Sequence, residues 1–468
     1  MKKLTLIICL FLLGTAFSVK AQEMTQTTQS WGGYLKPTPK DSLKIVVNLQ
    51  FENETLTKVT LDSPDQMSYG FKATKFSLQN DTLQFAILNL GASFQGVIQK
   101  GESISGTFSQ SGKKMPLHLL PEQPGRAQNP PNRPQTPQPP FPYLEEEINM
   151  NDHNGEPNIK GTLTLPKDGK IKATLILISG SGWQDRDETI FEHKPFKVIA
   201  DFLTRNGYAV YRYDDLPANV FIKSTTLDFE KNVQTIVKYF QRDKRTKNQP
   251  VGLLGHSEGG LVSFMAAANN PSINFMISLA GNSEKMSDVL IYQIGESYRI
   301  AEYDNHEIEE ILEMHKKVNQ LVESAKDAKV AKAEFEKLGA EYHKKWDAEK
   351  KARYHFTLNE AIQLVQQRCS PWFLAVMKID PTKYIKKVKC PVFTAIGEKD
   401  LQIYYKTNLA IIEQNLPKKT VRKIVAYPNL NHLFQTCETG AFKEYGKIEE
   451  TISPKVLEDI LLWLNEIR

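Results

Sequence analysis

The hydrophobic pattern divides the chain into two regions of different character. Residues 30–120 carry short or alternating apolar runs separated by turn signals such as Asp62-Ser63-Pro64-Asp65. Runs of this spacing predict a small β-sandwich or part-closed barrel. The predicted strands are Leu43–Leu49, Leu56–Leu61, Phe76–Leu78, Leu83–Leu88, Gln95–Ile98 and Ile104–Phe108. The region contains no recognisable catalytic pattern, so residues 22–120 are expected to form an accessory all-β domain.

A proline-rich stretch follows this region. It runs from Pro121 to Pro142 and contains nine prolines in 22 residues. Because proline lacks a backbone N–H and restricts the residue before it, neither a helix nor a sheet strand is expected. The stretch predicts an extended, semi-rigid linker. A ligand for a proline-binding module is the alternative interpretation.

After the linker, at 143–468, apolar runs alternate with helical patterns. Glu145–Met150 and Ile159–Leu165 predict an antiparallel hairpin. Further strands are predicted at Thr174–Ser179, Ala209–Tyr213, Val251–Leu254, Phe275–Ala280, Pro391–Ile396 and Arg422–Tyr427. Helices are predicted at Phe196–Thr204, Phe229–Arg242, Gly260–Ala268, Asn408–Leu416 and Pro454–Ile467. Buried strands joined by crossover helices predict a mostly parallel sheet flanked by helices.

One interval, about 283–378, interrupts the alternation. Its charged centre, His306 to Arg353, has apolar residues at helical spacing and no strand pattern. We expect a helical hairpin inserted between two strands of the sheet. We interpret it as a cap that shapes a binding cleft, with a solvated protrusion of no function as the alternative.

The first 21 residues resemble an export signal. Lys2 and Lys3 precede the apolar run Leu4–Leu13, and small residues lead to a cleavage site at Ala21. A run this short is typical of a secretory signal peptide rather than a membrane span. We therefore expect a periplasmic or secreted protein without a transmembrane anchor after cleavage.

Composition, charge and cysteine count narrow the function classes. Of the 468 residues, 40% are hydrophobic and 24% charged, a globular balance that excludes wholesale disorder. The formal net charge is +5, and three of the positive charges lie in the predicted leader, so there is no electrostatic basis for nucleic-acid binding. Beyond the leader remain Cys369, Cys390 and Cys437, which we expect to be free thiols, with a Cys369–Cys390 bridge as the alternative. No CxxC or HExxH spacing occurs, so a metal site is not expected.

The sequence GHSEG follows a predicted buried strand directly and precedes a helical pattern. This arrangement predicts a sharp strand–turn–helix that presents Ser257 as a nucleophile. Gly255 and Gly259 are needed because side chains two residues either side of such a turn would collide. The N–H of Glu258, at the start of the helix, is a candidate oxyanion donor.

A serine nucleophile needs a histidine base and an acid that orients it. Asp400 follows one predicted strand and His432 the next, in the chain order serine, acid, histidine that this architecture requires. Glu398 is the fallback acid, and Asp214 or Asp215 is a further alternative. His256 adjoins Ser257 on the same turn and cannot fold back onto its hydroxyl, so we interpret it as a packing residue.

The loop after Thr174–Ser179 predicts the second half of an oxyanion hole. Its glycines allow close approach to a substrate carbonyl, and the N–H of Ser181 or Gly182 is the expected donor. The adjoining Asp185, Arg186 and Asp187 are interpreted as a salt-bridged staple of the loop rather than a catalytic cluster. Candidate aromatic residues of an apolar acyl pocket are Trp183, Trp372 and Phe373, although they are equally compatible with core packing.

Taken together, the motifs GHSEGG, GSGWQDRD, GEKD and the final NH pair resemble the α/β-hydrolase fold. More narrowly they resemble exported bacterial serine esterases near the serine aminopeptidase branch, over about residues 133–468. The stretches RPQTPQPPFPY and CSPWF are similar to the same group. One departure is the segment DLPA, Asp215 to Ala218, where such hydrolases commonly have an Arg-Gly loop.

The resemblance implies hydrolysis of a small-molecule carboxylic ester through an acyl-enzyme on Ser257, with no cofactor. We expect small to medium acyl groups. An aminopeptidase or acyl-peptidase with the same triad is the first alternative, and a non-catalytic binding protein on a hydrolase scaffold is the second. Oligomeric state is not predicted.

Overall fold

The structure is a computed structural model of the chain. It describes residues 26–36, 42–64, 68–99, 101–110, 113–122, 132–354, 356, 361, 364–365 and 367–467. The predicted signal peptide lies outside the described residues. No helix within these residues is both long and apolar enough to cross a membrane.

The N-terminal region forms one antiparallel sheet that curls towards closure. Its strand order is β4-β3-β2-β1-β9-β8-β7-β6-β5. The strands are β1 Gln26–Leu35, β2 Leu43–Glu52, β3 Thr55–Ser63, β4 Ser68–Lys72, β5 Lys75–Gln79, β6 Thr82–Ile87, β7 Ala92–Gln99, β8 Ser103–Gln110 and β9 Lys113–Glu122. The edge strands β4 and β5 are consecutive, and the residues between them bond to both sides, Ala73 N–H to the Val59 carbonyl and Thr74 N–H to the Ala86 carbonyl. Of the two predicted architectures, the part-closed barrel therefore describes it, around one apolar core.

The end of the linker is docked on the second region. The Arg133 guanidinium donates to the backbone carbonyls of Phe191, Gly446 and Ile448 at 2.7–3.2 Å. Gln135 donates to the Ile452 carbonyl at 2.8 Å. Five N–H donors in a fixed fork suit Arg133 to collecting carbonyls from separate loops. The described part of the linker is thus fixed by polar contacts.

The second sheet is mostly parallel, as its continuous apolar runs predict. Its strands are β10 Tyr143–Met150, β11 Ile159–Pro166, β12 Thr174–Ile178, β13 Ala209–Tyr213, β14 Val251–His256, β15 Phe275–Leu279, β16 Val392–Gly397 and β17 Arg422–Tyr427. They lie in the order β10-β11-β13-β12-β14-β15-β16-β17. The hairpin β10–β11 is antiparallel, and β11 pairs antiparallel with β13, whereas the later pairs are parallel. The carboxyl ends of the parallel strands therefore meet at one edge.

Helices cover both faces of this sheet. The described helices of the second region are α1 Pro195–Arg205, α2 Ala218–Phe221, α3 Thr226–Phe240, α4 Glu258–Asn269, α5 Met286–Ile300, α6 Asn305–Ser324, α7 Ala328–Lys345, α8 Ala348–Arg353, α9 Pro371–Val376, α10 Thr382–Ile385, α11 Tyr405–Asn415, α12 Phe442–Tyr445 and α13 Pro454–Glu466. Side chains of α1 and α13 pack on one face, and those of α3, α4 and α11 on the other. This three-layer packing fixes the loops at the carboxyl edge.

The segment between β15 and β16 is helical. Helices α6 and α7 form the predicted hairpin and have a core of their own, which includes Ile311, Phe335 and Trp346. The segment also reaches the carboxyl edge of the sheet: the Tyr292 hydroxyl donates to the Asp400 carbonyl at 2.9 Å, and Trp372 Nε1 donates to Glu258 at 2.8 Å.

Candidate active site

Ser257 lies at the sharp turn between β14 and α4. Its backbone has φ 53° and ψ −120°, a strained conformation for a residue with a side chain. A Cβ on Gly255 would lie 2.0 Å from the Gly259 carbonyl oxygen, and one on Gly259 would lie 2.0 Å from the Ile178 carbonyl oxygen. The predicted glycine requirement is therefore confirmed by backbone crowding on both sides of Ser257.

Asp400 and His432 meet after the last two strands. His432 Nδ1 donates to Asp400 Oδ2 at 2.7 Å, and both side chains are buried. The other oxygen, Asp400 Oδ1, accepts the N–H groups of Gln402 and Ile403 at 2.8 and 2.9 Å. These bonds fix the carboxylate, which in turn leaves His432 Nε2 free of the proton in the neutral ring.

The alternative acids lie elsewhere. Glu398 is exposed. Asp214 forms an ion pair with Arg186 at 2.6 Å, which confirms that the loop carrying Arg186 is stapled by salt bridges. Asp215 is bound to the Gln184 N–H at 2.7 Å. Of these candidates, Asp400 is the carboxylate that the structure places against His432.

The residue before Ser257 contacts this pair. The rings of His256 and His432 lie 4.8 Å apart, centroid to centroid. Among the described residues the Ser257 hydroxyl has no hydrogen-bond partner, and the side chain is partly exposed. Contacts between a nucleophile and its base are often long in unliganded sites and tighten in the complex.

The loop after β12 provides free backbone donors beside Ser257. Gly180 N–H donates to Glu188 Oε1 at 2.7 Å, and Gln184 N–H is bound to Asp215. Between them, Ser181 and Gly182 are exposed and their N–H groups have no backbone partner within the described residues. A Cβ on Gly180 would lie 3.1 Å from the Ser257 Cβ, so the loop passes directly over the turn.

His256 is bonded rather than merely packed, which corrects its interpretation from the sequence. Its Nδ1 contacts Glu188 Oε1 at 3.0 Å and its Nε2 contacts the His432 carbonyl at 2.9 Å. Burial lowers the pKa of His256, but the Glu188 charge and the hydrogen bonds outweigh burial and leave the pKa above its ordinary value. Sequence reasoning missed Glu188, because its partner His256 lies 68 residues away in the chain.

A narrow pocket lies next to the turn. It is lined by Ser179, Gly180, Asp215 and Glu258, and on its apolar side by Tyr213, Phe221 and Phe229. Burial raises the pKa of Asp215 well above its ordinary value, and burial also raises the pKa of Glu258. A pocket beside Ser257 that is lined by the carboxyl groups of Asp215 and Glu258 was not anticipated from the sequence.

The three aromatic residues proposed for an acyl pocket lie outside this lining. Trp183 Nε1 donates to the Leu216 carbonyl at 3.0 Å, and Trp372 is the donor to Glu258 described above. Phe373 is buried in a cluster with Val322 and Met377. These contacts make Phe373 a packing residue, whereas Trp372 links the helical segment to the turn.

Two further observations concern cysteines and metals in the described part of the chain. Cys369, Cys390 and Cys437 are free, as expected for thiols rather than a disulfide-framed fold. No group of three or more His, Cys, Asp and Glu side chains there is arranged to hold a metal ion.

Comparison with known proteins gives two sequence relationships. Residues 229–356 match the family described as BAAT / Acyl-CoA thioester hydrolase C terminal, which spans α3, the Ser257 turn and most of the helical segment. The chain is 25% identical over 327 residues to Esterase EstD of Thermotoga maritima, covering 69% of this chain and 68% of that protein. These matches confirm the resemblance to α/β hydrolases of the esterase type.

Solved structures that are similar to this chain include a dienelactone hydrolase from Anabaena variabilis, at 14% identity and a TM-score of 0.38, covering 70% of this chain and 97% of that one. Est1E from Butyrivibrio proteoclasticus is similar at 16% identity and a TM-score of 0.38, covering 69% and 98% of the two chains. The esterase Pf2001 of Pyrococcus furiosus is similar at 11% identity and a TM-score of 0.40, covering 72% and 95%.

Proposed function

We propose that this chain hydrolyses carboxylic esters of small or medium acyl groups through an acyl-enzyme on Ser257. The observation that carries the proposal is the strained turn at Ser257 together with a buried, hydrogen-bonded His432–Asp400 pair, whose imidazole lies 4.8 Å from the ring of the preceding residue, His256. The sequence relationship to an esterase and to a thioester hydrolase family supports the same reaction class.

In the proposed mechanism, His432 Nε2 removes the proton from the Ser257 hydroxyl as the oxygen attacks the ester carbonyl. Asp400 keeps the proton of the ring on Nδ1 and stabilises the imidazolium that forms. The Glu258 N–H, together with the N–H of Ser181 or Gly182, stabilises the oxyanion. His432 then protonates the leaving alcohol, and a water molecule repeats the sequence to release the acid.

The helical segment between β15 and β16 is proposed to act as a cap. The contacts of Tyr292 with the Asp400 loop and of Trp372 with Glu258 support this role, because they join the segment to both sides of the Ser257 turn. Chain movement there would change access to the turn and the acid loop together.

Export of the protein, with removal of residues 1–21, is likewise a proposal and rests on the leader pattern alone. Expression of the full-length gene with fractionation and N-terminal sequencing of the mature protein tests it. An unprocessed N-terminus in the cytosolic fraction would contradict it.

Labelling with a fluorophosphonate probe, followed by peptide mapping, tests the nucleophile. We expect the label on Ser257 and none on the Ser257→Ala variant. Ser181→Ala is the matched control, because the proposed donor at Ser181 is its backbone N–H and not its hydroxyl. A wild-type protein that is folded but takes no label at Ser257 would support a non-catalytic binding protein instead.

Hydrolysis of aminoacyl esters or amides is the second candidate function. Asp215 and Glu258 line one pocket beside Ser257, and no cation contributes to the raised pKa of either carboxyl group. Such a pocket suits an ammonium group, which would pair with these carboxyl groups. A panel of p-nitrophenyl esters against aminoacyl p-nitroanilides separates the candidates, since faster turnover of the anilides would favour this one.

A further inference from the structure

His256 occupies the centre of a buried hydrogen-bond chain that joins three loops. Glu188 Oε1 accepts both the Gly180 N–H at 2.7 Å and His256 Nδ1 at 3.0 Å. On the other side of the ring, Nε2 lies 2.9 Å from the His432 carbonyl oxygen. The chain therefore runs from the proposed oxyanion loop, through the residue before Ser257, to the backbone of the proposed base.

The two partners of the ring determine its protonation. A carbonyl oxygen only accepts, so Nε2 carries a proton, and a carboxylate likewise requires a proton on Nδ1. We propose that His256 is a positively charged positioning residue, which holds the loops of Gly180 and His432 in register with Ser257; this role rests on the function proposed above. A neutral ring would leave one of the two buried contacts without a donor.

The surroundings of His256 support the charged form. The titratable groups that face it are Glu188, His432 and Asp400, and the two carboxylates favour the cation. Glu188 and His256 are 4% and 7% exposed, so water does not compensate either group. Removing only one member of a buried ion pair of this kind is strongly destabilising, because the remaining charge is left unpaired.

The position of the ring gives it a specific role in catalysis. It does not contact the reacting atoms, but it fixes the backbone of His432 while Asp400 fixes the side chain of the same residue. Reacting groups tolerate little displacement, since a shift of about 1 Å can reduce a rate by roughly 100-fold. Loss of this hydrogen-bond chain should therefore lower kcat, with little change in KM.

The charge is tested without any activity measurement by ¹⁵N NMR of histidine-labelled full-length protein. We expect one histidine to show both ring nitrogens protonated at pH 7, and that signal to be missing in His256→Phe. A neutral His256 ring, with one unprotonated nitrogen, would overturn the proposal even if Ser257 is confirmed as the nucleophile. Because this readout is independent of turnover, failure of the proposed function would not be mistaken for failure of this inference.

The positioning role is tested with Glu188→Gln, His256→Phe and the double variant. Glu188→Gln retains an acceptor for Gly180 but removes the charge, and we expect a loss in kcat of roughly 10- to 100-fold for each single variant. The double variant should lose little more, since both changes break one chain. The positioning role would be overturned if the losses in kcat of the two single variants added up in the double variant. It would also be overturned if the single variants were folded and had unchanged kcat.

His153→Phe is the control. His153 also pairs with a carboxylate, Asp228 at 3.4 Å, but it lies in the turn between β10 and β11. We expect this variant to lose a histidine–carboxylate pair without a change in kcat. An equal loss of kcat in the control would show that removing any such pair is sufficient and would contradict a specific role for His256.

Discussion

Replacement of Asp400 by Asn tests whether Asp400 keeps the proton of the neutral His432 ring on Nδ1. The asparagine oxygen can replace Oδ1 and keep the N–H groups of Gln402 and Ile403, so the loop is expected to stay in place. The NH₂ group would then face His432 Nδ1, where the carboxylate now accepts at 2.7 Å. Nδ1 must become the acceptor, the proton moves to Nε2, and the ring can no longer take the proton of Ser257.

The expected loss in kcat is large compared with the loss in stability. The same change of tautomer in a serine protease triad costs about 10⁴-fold, which corresponds to about 5.4 kcal/mol of activation free energy. Exchanging a charged for a neutral hydrogen bond costs about 1 kcal/mol of the free energy of unfolding. The variant should therefore be folded and nearly inactive.

The assay is steady-state hydrolysis of p-nitrophenyl acetate at saturating substrate, with urea unfolding measured on the same samples. Glu398→Gln is the matched control, because this exposed fallback acid lies two residues away and should leave kcat unchanged. The reasoning is refuted if Asp400→Asn keeps more than about a tenth of wild-type kcat, since such a loss is no larger than that of one ordinary hydrogen bond. It is equally refuted if Glu398→Gln loses as much.

Three further outcomes follow from the structure. Gly259→Ala places a Cβ 2.0 Å from the Ile178 carbonyl oxygen, so it should lower the free energy of unfolding by about 1–3 kcal/mol and abolish probe labelling. The control is Gly339→Ala, in α7 with nothing within 4 Å, which should raise the free energy of unfolding by about 1 kcal/mol. Urea titrations and probe labelling of both variants check these outcomes. The free energy of unfolding should fall as pH rises, because the pKa of His256 in the folded protein is raised above 6.5. The stabilising contribution of His256 is therefore complete below pH 6.5 and is lost as the pH passes through the raised pKa. Urea denaturation at a series of pH values checks this, and the His256→Phe variant should lack this pH-dependent part of the stability. Arg133→Ala removes a charged donor from three carbonyls and should cost about 1.5–3 kcal/mol, measured as a lower urea midpoint, and an unchanged midpoint would show that the docked linker does not stabilise the second region.

The inner parallel strands of the second sheet could be predicted closely because each is a short buried run of mainly apolar residues. Thr174–Ile178 and Phe275–Leu279 illustrate this, since both are buried along their whole length, as parallel strands covered on both faces are. The N-terminal strands β1, β4 and β9 were missed. Strand β1 carries two glycines and polar residues, and one of its two partners, β9, lies far along the chain, where Leu119 pairs with Gly33.

The serine turn and the chain order of serine, acid and histidine could be predicted because each is marked by a short stretch of sequence. Gly255 is required by a contact inside the turn, with the Gly259 carbonyl, and each candidate residue comes within five residues of the end of a strand. The protonated state inferred for His256 depends instead on Glu188 and the His432 carbonyl, which are 68 and 176 residues away in the chain. The sequence around His256 contains no information about partners this distant in the chain.

The sequence by itself therefore determined the two regions, the parallel sheet and the residues that come to its carboxyl edge, because burial and turn chemistry act over short stretches of chain. Tertiary structure alone decided that a narrow pocket lined by the carboxyl groups of Asp215 and Glu258 adjoins Ser257. It also decided that His256 is held between Glu188 and His432. These outcomes depend on distances between loops that only the packed sheet brings together, and on burial that changes the ionisation of each group.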